Sequence, residues 1–168
     1  METKGLPILH CEKPKILLLG TLPGKKSSGC EEYYSDKRNR FWKIIAALHG
    51  IEQVPSDYKE RKKMLDAVHI SLWDVYKEGL RTTSLDKDIK YATLNGLENE
   101  LRDHPQIDII AFNGGKASEC IPSIQEEIST KLPNRKIKYV SLPSSSGANR
   151  KYSIIKDLIK VWKEKLLG

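Results

Sequence analysis

Four short apolar runs stand out along the chain, at residues 15–20 (KILLLG), 68–73 (VHISLW), 107–113 (IDIIAFN) and 137–142 (IKYVSL). Runs this short and this continuously apolar read as strands buried on both faces. The segments between them carry a helical period instead. Within residues 38–49, Phe41, Ile44, Ile45 and Leu48 fall on one face, and Gly50 ends the pattern. A second helix is predicted from near Ser56 through Met64 and Leu65. Asn95, with Glu98 three residues later, has the form of a capping box, and His104-Pro105 closes that helix. A last helix gathers Ile154, Ile155, Leu158, Ile159 and Trp162 on one side, with lysines on the other. Strands joined by helical crossovers predict a three-layer α/β/α sandwich around a central, mainly parallel four-stranded sheet, as one domain over residues 1–168. Trp42, Trp73 and Trp162 occupy apolar positions of these elements and are expected in the core.

The 168 residues are 39% hydrophobic and 30% charged, which suits a globular domain able to bury a core. A formal net charge of +7 favours a polyanionic partner, nucleic acid ahead of an anionic membrane surface. Lysine-rich surfaces also serve solubility alone, so charge does not decide the matter. No apolar run approaches the ~20 residues that span a bilayer, and the first residues lack the apolar centre of a signal peptide. Cys11, Cys30 and Cys120 are odd in number and far apart, which argues against a disulfide framework or an iron–sulfur cluster and makes a reducing cytoplasm the expected setting. His10 adjoins Cys11 with no matching ligand pair at zinc spacing, so neither a metal nor any other cofactor is expected.

In open parallel sheets ligands bind beyond the carboxyl ends of the strands. The unusual sequence lies there, in residues 20–42 (GTLPGKKSSGCEEYYSDKRNRFW), 74–86 (DVYKEGLRTTSLD), 113–115 (NGG) and 142–150 (LPSSSGANR). Four loops rich in Gly, Pro, Ser and basic side chains on one edge predict a site that admits an anionic ligand. The usual nucleotide-phosphate loops are excluded: no G-x-x-x-x-G-K-[ST] is present, no G-x-G-x-x-G follows the first strand, and Pro23 removes a backbone N–H. Asn113, ending a buried strand, is a poor core residue without partners. Its carboxamide suits a base edge, or alternatively the cap of the next helix.

The segment GTLPG…YY…RNRFWKII resembles the first motif block of the mismatch-specific uracil glycosylases, G-x-N-P-G…N-R-F-W. LWDVYKEGLRTTSLD, IIAFNG and LPSSSGAN resemble more closely the hypoxanthine-DNA glycosylase branch of the uracil-DNA glycosylase superfamily, in the same order, over about residues 16–149. The resemblance implies a monomeric, monofunctional DNA glycosylase of base excision repair. Such an enzyme flips a deaminated base out of DNA and hydrolyses its N-glycosidic bond, with hypoxanthine favoured over uracil or a mismatched base. Leu22 stands where most members carry Asp or Asn, and Leu142 where several carry His. Both departures match the hypoxanthine branch, although Leu22 also keeps open a lesion-binding module without catalysis.

Within that resemblance Asn39, before Arg40-Phe41-Trp42, is the implied catalytic residue. An amide is no general base near neutral pH, so Asn39 is expected to orient a water by accepting its hydrogen bond, with slow turnover. Tyr34 is the implied stacking surface for the base, Asn113 the reader of its edge, and Gly20, Leu22 and Pro23 the remaining pocket. Leu142, Pro143, Ser144, Ser145, Ser146, Gly147 and Asn149 form the implied minor-groove loop, with the serines on phosphates. Arg150 and Arg81 are further DNA contacts, alongside Lys25, Lys26, Arg38 and Arg40. Asp74 and Asp86 are expected to hold the Arg81 loop by hydrogen bonds, with a catalytic carboxylate as the alternative role. No lysine stands out as an imine-forming nucleophile, so β-lyase chemistry is not expected.

Overall fold

Leu17, Leu18 and Leu19 have no exposed surface, as in a strand covered on both faces. They lie in β2 (Ile16–Gly20), a central strand of a parallel sheet ordered β3 (Ile70–Asp74), β2, β6 (Ile109–Asn113), β7 (Lys138–Leu142). The computed structural model describes residues 2–168. Leu18 faces α2 (Phe41–Leu48), α3 (Tyr58–Val68) and α7 (Ile155–Leu167), packing in one core with Phe41, Ile44, Leu65, Leu158 and Trp162. Leu17 and Leu19 face α4 (Glu98–Asp103), α5 (Gly115–Ser118) and α6 (Ile121–Lys131), beside Leu101, Ala117, Ile124 and Ile128. This is the expected three-layer sandwich. A short helix, α1 (Lys25–Cys30), interrupts the long loop after β2.

The strand order places the site. From β2 the chain crosses to β3 on one side, and from β6 to β7 on the other. Between these diverging connections the ends of the neighbouring strands β2 and β6 are left uncovered, which opens a crevice beyond Gly20 and Asn113.

Three expectations need correction. The segment 74–86 is not all loop: it holds β4 (Tyr76–Leu80), which pairs antiparallel with β1 (Glu2–Lys4) and β5 (Lys90–Leu94) in a second, three-stranded sheet. Register shifts along β4 and the exposure of nearly all of β5 erase the alternation that would reveal these strands. Asn95 does not cap α4, whose N-cap is Leu97; its side chain donates to the Asp74 carbonyl oxygen at 2.9 Å. Ile154 precedes α7 and is 60% exposed, so it is not part of the buried face.

The contrast is measurable by urea denaturation. Leu18→Ala is expected to destabilise the fold by ~2–5 kcal/mol, and Ile154→Ala by less than about 0.5 kcal/mol. Comparable losses for both would contradict this assignment of the core.

Candidate active site

A cleft of about 1050 Å³ opens over the ends of β2, β3 and β6. It draws Gly20, Tyr34, Asn39, Asp74, Asn113 and Ser145 from the four predicted loops onto one wall system. Gly20 is required by close approach: a Cβ there would lie 2.7 Å from Tyr34 Oη and 2.8 Å from Asp74 Oδ1. Tyr34 sits at φ 52°, a left-handed conformation unusual for a bulky residue. Two contacts hold it there. Its ring stacks on Phe41 with centroids 4.0 Å apart, and its hydroxyl accepts from Asn113 Nδ2 at 3.2 Å. Burial, helped by the neighbouring Asp74 charge, pushes the phenol far above its ordinary range, so Tyr34 stays protonated.

Ser145 joins the other two predicted residues. Its hydroxyl donates to Asn39 Oδ1 at 2.8 Å and accepts from Asn113 Nδ2 at 2.9 Å. Its backbone N–H donates to Asn113 Oδ1 at 2.9 Å, and its carbonyl accepts from Arg40 N at 2.9 Å. The Asn113 carboxamide is therefore fixed, but with both N–H groups already directed at protein oxygens. Nor does it cap α5, whose N-cap is Gly114. Asn39 Oδ1 also accepts from Phe41 N at 3.0 Å, which fills both lone pairs. What Asn39 has left is its NH₂ group, which makes no hydrogen bond among the described residues. Acceptance from a water is closed in this arrangement, and donation is open.

Several expected DNA contacts face inward. Ser145 has no exposed surface, and its hydroxyl is committed as described, so it is not placed to touch phosphate. Leu142 is a core residue whose carbonyl accepts from Gly114 N at 2.9 Å. Arg81 is buried, donating to the carbonyls of Leu22 at 3.0 Å and Thr83 at 2.7 Å, while one nitrogen, Nη2, has no hydrogen-bond partner. Arg40 clamps the carbonyls of Ser146 and Tyr152. The remainder of the loop is bonded to itself, with Ser146 N donating to Ser144 Oγ, Ala148 N to Ser146 Oγ, and Asn149 Nδ2 to Ser144 O. Gly147 packs so tightly that a Cβ would meet the Arg38 carbonyl at 2.6 Å. Pro143 is half-buried and accepts from Trp162 Nε1 at 2.9 Å. Lys25, Lys26 and Arg150 are exposed and free to meet a polyanion, while Arg38, also exposed, pairs with the Asp36 carboxylate through Nη2 at 2.8 Å.

Asp74 was undervalued by sequence reasoning. It is 4% exposed, and Oδ2 is buried without a partner. Its carboxyl does not brace the Arg81 loop; Asp86 does, accepting from Thr21 Oγ1 at 2.7 Å. Burial, with the Asp86 charge adding, raises Asp74 to about 7, and Arg81 only partly offsets this. A lone Asp closing an apolar strand was the available signal. Away from the cleft, the fold gathers His10, Glu100 and His104, with Glu100 Oε1 3.0 Å from His10 Nε2 and 2.9 Å from His104 Nδ1. The chain order hides this group. Among the described residues no helix is long and apolar enough to cross a membrane.

The sequence profile of the uracil DNA glycosylase superfamily matches residues 7–165. The chain belongs to that superfamily. A protein named hypoxanthine DNA glycosylase from Methanosarcina acetivorans is 34% identical over 91% of this chain and 92% of its own length. Its namesake from Methanosarcina barkeri is 33% identical over 90% of each. A solution NMR structure from Methanosarcina acetivorans, provisionally named a uracil DNA glycosylase, superposes with a TM-score of 0.78, at 31% identity and 98% coverage of both chains.

As a superfamily member this chain is apolar at the two positions where many carry polar groups, and both leucines have structural places. The Leu22 side chain packs on Gly79 of β4, within 3.1 Å of where a Cβ would stand, and Leu142 lies under α7. The polar group left free at the cleft floor is Asp74. Its folded value lies above the ordinary 3.8, so the native state holds the proton more tightly than the unfolded chain. Stability should fall as pH rises from about 4 to about 7, and stay lowered above. Asp74→Asn should therefore raise Tm over wild type near pH 8, with the gap closing near pH 4. A gap that does not change with pH would contradict the buried, unpaired carboxyl.

Proposed function

We propose that this chain is a monofunctional DNA glycosylase that flips deaminated bases out of DNA and hydrolyses their N-glycosidic bond, hypoxanthine ahead of uracil. The names of the Methanosarcina relatives support the substrate. The observation that carries the reading is Asn39, held by Ser145 Oγ and Phe41 N with its NH₂ group free at the cleft.

Breaking the bond between the sugar C1′ and the base nitrogen sends the electron pair to the base and leaves an oxocarbenium-like sugar. Tyr34, backed by Phe41, offers its other face to the base, and a stacked base gains ~1–3 kcal/mol. The Asn39 NH₂ group donates to the oxygen of the attacking water and holds it toward C1′. The water adds to a sugar that is already cationic, and the proton it then loses passes to solvent, from which the departed base anion takes one up. Asn113 and Ser145 hold Tyr34 and Asn39 without touching the base.

Asp74 reads the base edge. Hypoxanthine and uracil present a ring N–H beside a carbonyl, and Asp74 accepts that N–H in its ionised form, which prevails above about pH 7. Adenine presents a lone pair at the same atom, which sets acceptor against acceptor in a buried site. Guanine shares the N–H edge, so its exclusion rests on the fit of its 2-amino group. Lys25, Lys26, Arg38 and Lys87, exposed around the mouth, meet phosphates, which makes affinity salt-dependent.

Purified protein, with EDTA present, should release free hypoxanthine from inosine-containing DNA and leave an abasic site. Asn39→Ala should slow single-turnover release by ~10² or more while lesion binding persists. Release from uracil DNA alone would mark a uracil glycosylase, and binding without release a lesion-binding module. Near-normal release by Asn39→Ala would place the chemistry elsewhere.

A further inference from the structure

Outside the cleft, two imidazoles converge on one carboxylate, and none of the three residues lines the cleft wall. Glu100 Oε1 lies 3.0 Å from His10 Nε2 and 2.9 Å from His104 Nδ1, and the two histidine ring centroids are 5.4 Å apart. One potential ligand atom from each residue falls within 4.8 Å of the other two. Two ring nitrogens and a carboxylate oxygen are the donor set of a three-ligand zinc site whose fourth position takes a water. Around a tetrahedral ion with bonds of ~2.0–2.1 Å, donors stand about 3.3 Å apart. The observed separations need to open by only a few tenths of an ångström to admit the ion. His10 and Glu100 are 90 residues apart in the chain, so no local ligand spacing announces the group.

The backbone delivers each ligand. Glu100 and His104, four residues apart, share one face of α4 and its C-cap, and the buried Leu101 roots that helix in the core. The His104 carbonyl accepts from Arg135 Nη2 at 3.2 Å and from Ile107 N at 3.1 Å. His10 comes from the segment between β1 and β2, and that segment is pinned on both sides of it. Leu9 exchanges backbone bonds with Leu72 of β3 at 2.9 and 3.0 Å, and Cys11 N donates to Ser71 Oγ at 2.8 Å. Ligands held this way need little ordering when an ion arrives. The Glu100 side chain is 12% exposed, and its ion-pair partners among the described residues are the two histidines, with no lysine or arginine. A divalent ion supplies the positive charge that this carboxylate lacks. His104 Nδ1 also lies 3.1 Å from the Glu100 carbonyl oxygen. Ligation puts the ion in place of the proton on that nitrogen, and the carbonyl keeps the His104 backbone N–H at 3.1 Å.

We propose that His10, Glu100 and His104 form a zinc site, a structural staple that fastens the chain before β2 to α4. Imidazole ligands suit Zn²⁺, with Co²⁺ able to replace it, whereas Mg²⁺ calls for oxygen ligands and is refused. The ion stands apart from the cleft and takes no part in base release, so the proposal does not depend on the glycosylase reading.

The test is calorimetric titration of EDTA-treated, desalted protein with ZnCl₂ or MgCl₂. Wild type should take up one Zn²⁺ per chain with micromolar or tighter affinity and no measurable Mg²⁺. With free Zn²⁺ at a hundredfold Kd, Tm should rise by ~5 °C or more. His10→Ala, which removes a side chain 49% exposed, should keep the zinc-free Tm of wild type and bind Zn²⁺ at least tenfold more weakly. Glu100→Gln should weaken binding similarly, and Cys30→Ser, which removes an exposed thiol, should bind like wild type. Bound Co²⁺ should show the visible absorption of a four-coordinate ion in wild type and lose it in His10→Ala. Hypoxanthine release should be equal with EDTA and with Zn²⁺. No Zn²⁺ uptake, uptake unchanged by His10→Ala, or equal uptake of Mg²⁺ each overturn the site and leave a hydrogen-bonded triad. Base release that needs the ion overturns its structural role.

Discussion

The hydroxyl of Ser145 sits with no exposed surface between two asparagines, donating to Asn39 and accepting from Asn113. Asn39 precedes α2, Asn113 ends β6, and Ser145 follows β7. One hydroxyl therefore fixes the relative positions of three loops. A buried polar group left unpaired is costly, so each member depends on the other two. Asn113 in turn holds Tyr34 by its hydroxyl, and Arg40, the neighbour of Asn39, binds the Ser145 carbonyl. The outcome is a site whose free polar ends are few, the Asn39 NH₂ group and the Asp74 carboxyl.

The fold makes this network possible through backbone placement. Because β2 and β6 are neighbours with diverging connections, Gly20 and Asn113 end side by side. The absence of a side chain at Gly20 lets the Tyr34 hydroxyl and the Asp74 carboxyl both close over the strand end. Tyr34 accepts a left-handed backbone to reach that place. Such preorganisation suits a reaction in which the enzyme has no strong base directed at the water and works by holding groups in position.

Much of this was legible in the chain. The four apolar runs marked the parallel sheet because each buries apolar residues at its centre, among them Leu18, Ile70, Ile110 and Val140, and the four loops marked the cleft. What stayed hidden had physical reasons. β4 and β5 form an exposed sheet with a broken register, so their side chains show no period. Nothing in a row of three serines distinguishes the buried middle one from its half-exposed neighbours. Arg81 and Arg40 look like any basic residue in a loop, and sequence shows a charge without showing its direction. Asp74 resembled a loop-bracing carboxylate, a role that the structure gives to Asp86.

The central claim is that Ser145 acts by holding Asn39, and a double-mutant cycle tests it most directly. Single-turnover hypoxanthine release is measured for Ser145→Ala, Asn39→Ala and the double variant, each checked for folding by its Tm. If the hydroxyl works through Asn39, each single change slows release, and the double variant is no slower than Asn39→Ala alone. Losses that multiply, or a Ser145→Ala variant with the wild-type rate, would contradict it.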